Sequence, residues 1–314
     1  MRHEDFHFRE HGFVGHLAEP DEGGEQAVLV ISGGEQSLLP GVKIAERFAD
    51  FGFVGLSVSL FGAEGLPGAP DRIPLEMFEA AVKYLRKEKR VCSVSAYGQS
   101  MGSIFAALAA QLIGGMDNLI LVSPTHVPFE GTMANRRTMT GHSVAVWRGQ
   151  ELPFVSADFS RESPTRYRNH PAAGHRVMGM WKAFYDAYMD EAAVDRARLP
   201  LEKTGARILV IAGGADEAWP SEFSARAIEK YLDERKYDRA YRVIVYPNVS
   251  HLTGMMPNRE REKMLYRMIP LIGLMYRSFG RHKRECLAAL KDSEREIIAW
   301  LGGPVAPGEN GRDS

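Results

Sequence analysis

An α/β fold, with a mostly parallel central sheet, helices on both faces and an inserted helical cap, is what this sequence predicts. Three observations carry that expectation. Continuous β-branched runs such as "AVLVIS" (27–32) have the composition of strands buried on both faces, as in parallel sheets. These runs alternate with segments of helical periodicity, the pattern of a doubly wound sheet. The alternation lapses over about residues 125–200 and resumes at 206, so the intervening stretch reads as a cap above the C-terminal edge of the sheet.

Taken in order, residues 1–26 are polar and rich in histidine: His3, His7, His11 and His16. A spacing of four or five residues invites a metal reading, but the alternation in "FHFREHGFVGHLAEP" fits one or two exposed edge strands better. After "AVLVIS" comes the turn "GGEQS", then a helix through "LPGVKIAERFADFG" and a strand "FVGLSVSL" (53–60). "IPLEMFEAAVKYLRKEKR" sets Phe78, Val82 and Leu85 on one helical face. "VCSVSAY" is a strand, "SMGSIFAALAAQL" a helix and "NLILVSP" (118–124) a strand. Cys92 opens the first of these strands and is expected in the core. Within the cap, "MGMWKAFYDAYMDEA" is an aromatic helix. Beyond it come the strand "ARILVIAGG" (206–214), the helix "SEFSARAIEKYL", the strand "YRVIVYPN" (241–248) and an amphipathic helix at 283–301. The catalytic domain is therefore expected over 27–302, and the tail 303–314 has a disordered composition.

The composition excludes several functions. A formal net charge of −1 offers no basic surface for nucleic acid. The apolar patch "MIPLIGLM" (268–275) is far too short for a bilayer span, and the charged N-terminus lacks the apolar core of a secretory signal. The two cysteines, Cys92 and Cys286, have no metal-like spacing, and a cytoplasmic setting is expected.

The chemistry centres on "GQSMG". A pentapeptide G-x-S-x-G is weak evidence in isolation, since roughly one chain in five of this glycine content would carry it by chance. Its setting is more specific. Ser100 directly follows a strand and opens a small-residue helix, where a nucleophile elbow forces a serine into an exposed, strained turn. A serine hydroxyl needs an imidazole base, and the base needs an orienting carboxylate. Asp216 lies just beyond the strand at 207–212 and His251 a few residues beyond that at 242–246, in the chain order Ser, acid, His. Glu217 is the alternative acid. Two backbone N–H donors are expected to hold the oxyanion: the amide of Met101, and one from Gly34 or Glu35 in "SGGEQS". That loop lacks a Walker lysine and the dinucleotide glycine spacing, so it is no phosphate cradle.

Other residues read as structural. His126 and His142 are expected to be exposed loop histidines. Trp181, Phe184, Tyr185 and Tyr188 are read as cap packing, and "RSFGRHKR" (277–284) as a solvated helix start.

The segments "LFGAEGLPGAPDRIPLEMFEAAVKYL", "GQSMG", "ADEAWPSEF", "YPNVSH" and "RSFGRHKRECLAALKDSEREIIAWL" resemble the C-terminal catalytic domain of the acyl-CoA thioesterase and bile acid-CoA:amino acid N-acyltransferase family. The likeness covers about residues 27–302, and the I-P-L-E-x-F-E and W-x-S-E-F segments are more specific than the elbow. The resemblance implies an α/β-hydrolase fold of dienelactone-hydrolase type and a triad of Ser100, Asp216 and His251. In that family the elbow residue is serine in hydrolases and cysteine in amino-acid transferases. In place of the family's N-terminal β-sandwich, about 26 residues are expected to precede the catalytic domain, and "GQSMG" is closer to general esterase elbows.

The expectation is thus a serine hydrolase acting on a small-molecule acyl thioester or ester, with no metal and no organic cofactor. An acyltransferase and a carboxylesterase are the alternative enzymes, and a non-catalytic ligand-binding protein on the same fold is the alternative of another class.

Overall fold

The computed structural model describes residues 1–135, 138–157, 181–255 and 276–302. The expected tail, the patch at 268–275 and the middle of the cap lie outside these residues.

Eight strands form one sheet: β1 (Arg2–Phe6), β2 (Gly15–Glu19), β3 (Gln26–Ile31), β4 (Val54–Val58), β6 (Ser93–Gln99), β7 (Asn118–Val122), β12 (Arg207–Gly213) and β13 (Tyr241–Tyr246). Their spatial order is β1-β2-β4-β3-β6-β7-β12-β13. The β1–β2 and β2–β4 pairs are antiparallel, and every later pair is parallel. Counted within the sheet this is 1-2-4-3-5-6-7-8, the α/β-hydrolase arrangement. The two strands of residues 1–26 enclose the one-turn helix α1 (Phe8–His11) and extend the sheet beyond β4.

The period of two in each strand divides the core between the two faces. Leu29 and Ile31 of β3, with Ile208 and Val210 of β12, pack on one face with α3 (Glu76–Lys87), α4 (Gly102–Leu112) and α7 (Ser221–Glu234). Phe78, Val82 and Leu85 of α3 are buried there, as their spacing predicts. Val28 and Val30, with Leu209 and Ile211, face the other way. That side is covered by Phe48 of α2 (Leu39–Asp50) and by Ile297 of the last helix, Lys283–Trp300.

The stretch at 125–200 is not purely helical. It begins with β8 (Glu130–Thr132) paired to β9 (Met139–Ser143), then β10 (Ala145–Trp147) paired to β11 (Gln150–Glu151). β10 also runs parallel to β5 (Ile73–Pro74), which ties this region to the turn before α3. The helices α5 (Trp181–Tyr188) and α6 (Glu191–Ala197) follow. The expectations for Cys92 and His126 also need correction. Cys92 is exposed, because β6 starts one residue later and its preceding backbone still bonds to Glu25 rather than entering the sheet. His126 is buried: its Nδ1 lies 3.0 Å from the Ser224 hydroxyl and its ring packs on Tyr188. Burial pulls its pKa down to about 3, with a smaller push from Arg198, so this imidazole stays neutral.

Helix α2 can lie flat on β4 only because position 55 lacks a side chain. A Cβ there would stand 2.3 Å from the Ala45 carbonyl oxygen and 2.7 Å from its Cα. Both atoms are backbone, so the helix itself would have to move. Gly55→Ala should therefore destabilise the fold by about 1–3 kcal/mol in urea titrations. An unchanged unfolding midpoint would contradict this contact.

Candidate active site

Ser100 sits between β6 and α4 with φ +56°, a left-handed conformation rare for a residue with a side chain. The two flanking glycines explain why the chain accepts it. A Cβ at Gly102 would stand 2.1 Å from the Ile31 carbonyl oxygen, and one at Gly98 would stand 2.6 Å from both Ala106 Cβ and the Gly102 carbonyl oxygen. Strand, turn and helix are thus pressed together more closely than any side chain permits. The Ser100 amide donates to the Val122 carbonyl at 2.9 Å, which anchors the turn to the neighbouring strand β7.

The imidazole of His251 spans the gap to the acid. Its Nε2 is 2.9 Å from Ser100 Oγ and its Nδ1 is 2.7 Å from Asp216 Oδ2. With Nδ1–H donating to the carboxylate, Nε2 keeps the lone pair that a serine hydroxyl can donate to. Asp216 is held in turn: its Oδ1 accepts from the amides of Ala218 (2.8 Å) and Trp219 (3.3 Å). The loops after β12 and β13 can approach because residues 213 and 214 are both glycine. A Cβ at Gly213 would meet the Ser250 carbonyl at 2.3 Å, and one at Gly214 the Pro247 carbonyl at 2.5 Å.

Three expected residues therefore come together: Ser100, Asp216 and His251. Glu217 does not join them. Its carboxylate accepts the Ser278 amide instead, and burial raises its pKa. Asp216 and His251 are both buried, at 2% and 6% exposure. Burial disfavours a charged imidazole, but the charge and hydrogen bond of Asp216 oppose it, with Glu35 and Glu217 further off. The net effect raises the His251 pKa.

Several supports were not legible as such. Ser123, itself at φ +45°, donates its hydroxyl to the His251 carbonyl at 2.7 Å. Its own carbonyl accepts Trp219 Nε1–H at 2.9 Å. Gln99 Nε2 donates to the Thr253 carbonyl at 3.2 Å. The Tyr276 ring stacks beside His251 with centroids 6.1 Å apart. Only "VSP" at the end of a strand and "GQS" before the elbow were there to signal Ser123 and Gln99, and neither pattern is distinctive.

A cavity of about 550 Å³ opens over Ser100. Met101, Gly34 and Glu35 all line it, and none of their amides donates to another group among the described residues. The loop at 32–35 hugs the elbow: a Cβ at Gly33 would stand 3.2 Å from Ser100 Cβ. Across the cavity, Phe129, Phe184 and Trp219 form an aromatic wall with centroids 4.3–5.9 Å apart, and Trp219 meets the His251 ring edge-on. Phe184 thus lines the cavity as well as packing the cap. Trp181 and Tyr188 are buried as expected, with the Tyr188 hydroxyl donating to Thr125 Oγ1. His142, expected in an exposed loop, instead sits half-buried in β9 against Glu151 and does not line the cavity, because the β8–β9 pairing takes that segment into a strand.

Comparison with known proteins places these features in context. The family model described as BAAT / acyl-CoA thioester hydrolase C terminal matches residues 73–257, more than half of the chain. Acyl-coenzyme A thioesterase 6 of Homo sapiens is 24% identical over 236 residues, which is 74% of this chain and 50% of the relative. Acyl-coenzyme A thioesterase 5 of Mus musculus is 23% identical over 218 residues, 66% of this chain and 44% of the relative. The chain thus spans about half the length, or less, of these curated relatives. Among solved structures, Est1E from Butyrivibrio proteoclasticus with bound ferulic acid superposes with TM-score 0.44 at 16% identity, covering 83% of this chain and 94% of the other.

A reaction that draws a proton from Ser100 through His251 requires neutral imidazole. With the His251 pKa raised, the acid limb of the rate–pH profile should lie above the ordinary imidazole value of about 6.5. Glu35→Gln removes one charge that favours the imidazolium, so the limb should move to lower pH. A limb unmoved in E35Q would show that Glu35 does not act on His251.

Proposed function

This chain belongs to the BAAT / acyl-CoA thioester hydrolase C-terminal family, and from that premise we propose that it is a serine hydrolase cleaving an acyl thioester through Ser100, His251 and Asp216. The observation that carries this reading is the unbroken hydrogen-bonded chain from Ser100 Oγ through the imidazole to Asp216.

Ser100 Oγ attacks the acyl carbonyl while His251 Nε2 takes its proton. Asp216 holds the imidazole in the required tautomer and stabilises the imidazolium that forms. The tetrahedral oxyanion is received by the amide of Met101, at the start of α4, and by that of Gly34 or Glu35. On collapse, His251 returns the proton to the leaving thiol. Water, deprotonated by His251, then attacks the acyl-enzyme, and as the acid leaves His251 returns the proton to Ser100 Oγ. The aromatic wall of Phe129, Phe184 and Trp219 supplies an apolar bed for the acyl group.

One observation favours an oxyester as a second reading. Among the described residues, the cavity is lined by two carboxylates, Glu35 and Glu130, and by no lysine or arginine. A coenzyme A carrier would therefore keep its phosphates outside this cavity, whereas an uncharged alcohol would not face that constraint.

The test is thiol release from acyl-CoA substrates of graded chain length, beside hydrolysis of matched p-nitrophenyl esters, by the native protein and Ser100→Ala. The expected result is thiol release that falls by at least about 10⁴-fold in S100A, with Asp216→Asn losing on the order of 10⁴-fold. Cleavage of esters alone would move the assignment to the second reading. Turnover that survives in S100A would overturn the proposal. Added glycine or taurine should leave free acid as the product, whereas a conjugate would reveal transfer.

A further inference from the structure

We propose that the N-terminal hairpin carries a divalent transition-metal site, formed by His3, His16 and Glu46, that clamps β1 and β2 to α2. Sequence spacing groups four histidines at intervals of four or five residues, but the fold separates them. His7 and His11 belong to the turn of α1, where the His11 Nδ1 meets the His7 backbone. His3 and His16 lie on the paired strands.

The register of β1 and β2 sets His3 opposite Ala18 and Asp5 opposite His16. Side chains two residues apart on a strand share a face, so His3, Asp5 and His16 project together. This face is the one turned toward α2, since Ala18 packs with Ile44, Ala45 and Phe48 of that helix. Glu46, on the same helix, offers a carboxylate oxygen to the pair. The three donor atoms, one from each residue, lie within 4.8 Å of one another.

His16 is held in the tautomer that a metal ligand needs. His16 Nδ1 stands 2.6 Å from Asp5 Oδ1, so Nδ1 carries the proton and Nε2 is left with its lone pair. A carboxylate behind the distal nitrogen is the usual partner of a metal-bound histidine. The Nε2 lone pair accepts from His3 Nδ1–H at 3.0 Å, and ligation by His3 takes its other neutral tautomer, with the proton on Nε2. Neighbouring ligand atoms around a tetrahedral zinc ion are about 3.3 Å apart, so both imidazoles can turn their lone pairs on one ion with little movement. Glu46 reaches the same ion by rotation of its side chain and gives up part of its ion pair with Lys43. Two imidazoles and a carboxylate suit Zn²⁺, Ni²⁺ or Cu²⁺ rather than Ca²⁺ or Mg²⁺. His3 is exposed, which leaves room for water as a fourth ligand. Binding would link strands from residues 2–19 to a helix of the main body and so hold the antiparallel edge of the sheet.

The test uses the tag-free protein carrying His251→Asn, which removes the imidazole of the candidate active site as a competing ligand. Zn²⁺ titration by calorimetry, with metal counted by mass spectrometry, should give one equivalent per chain and a raised melting temperature. His3→Gln and His16→Gln should each weaken binding by at least tenfold and abolish the thermal shift, while His7→Gln and His11→Gln should leave both unchanged. Asp5→Asn, which acts only through His16, should weaken binding by about 10–100-fold. His3 is exposed, so H3Q remains informative if H16Q fails to fold. No stoichiometric Zn²⁺ binding, or binding equal in H3Q and the parent, would overturn the site.

Discussion

The turn at Ser100 is the constraint on which the rest of this structure depends. A residue with a side chain is held in the left-handed region, at a cost of about 1–3 kcal/mol. It persists because the backbone around it cannot relax: Gly98 is packed against α4 and Gly102 against the end of β3. Those contacts bring the helix N-terminus up to the strand end. They also set Ser100 and Met101 on the lining of the cavity. The position and orientation of the hydroxyl are thus two consequences of one backbone conformation.

The imidazole must then be brought to that hydroxyl from a loop 151 residues away in the chain. No single contact does this. Ser123 holds the His251 carbonyl, and Gln99, adjacent to Ser100, holds the Thr253 carbonyl. Asp216 is fixed by the amides of Ala218 and Trp219, and the Trp219 indole is tied back to Ser123. These bonds run among the C-terminal ends of β6, β7 and β12 and the loop after β13, so the sheet itself is the ruler for the site. Burial makes that ruler costly to misread, because an imidazole charged without Asp216 would be stranded away from water.

How much of this was legible in the sequence depended on whether a local pattern existed. The buried strands and α3 were readable because their apolar residues repeat with the period of the element, as at Phe78, Val82 and Leu85. Ser100, Asp216 and His251 were readable because each follows a strand, in a fixed chain order. Ser123 and Gln99 were not, since their roles rest on contacts 128 and 154 residues distant. His126 looked like a loop histidine and is buried, because the segment after β7 passes beneath α7, a tertiary fact with no local signature. Cys92 falls one residue before β6, outside the covered part of the sheet, and a strand boundary has no sequence signal sharp to one residue. The short strands at 130–151 carry too few residues to show a period.

The central claim is that Ser100 is the atom to which the acyl group is covalently passed. It is tested most directly by quenching the protein with acyl-CoA in acid within milliseconds and mapping the acylated peptide by mass spectrometry. The account predicts an acyl ester on Ser100 that accumulates before steady state, persists longer in His251→Asn whenever it forms there, and is absent in Ser100→Ala. Turnover with the acyl group on another residue, or with no adduct and undiminished rate in S100A, would contradict it.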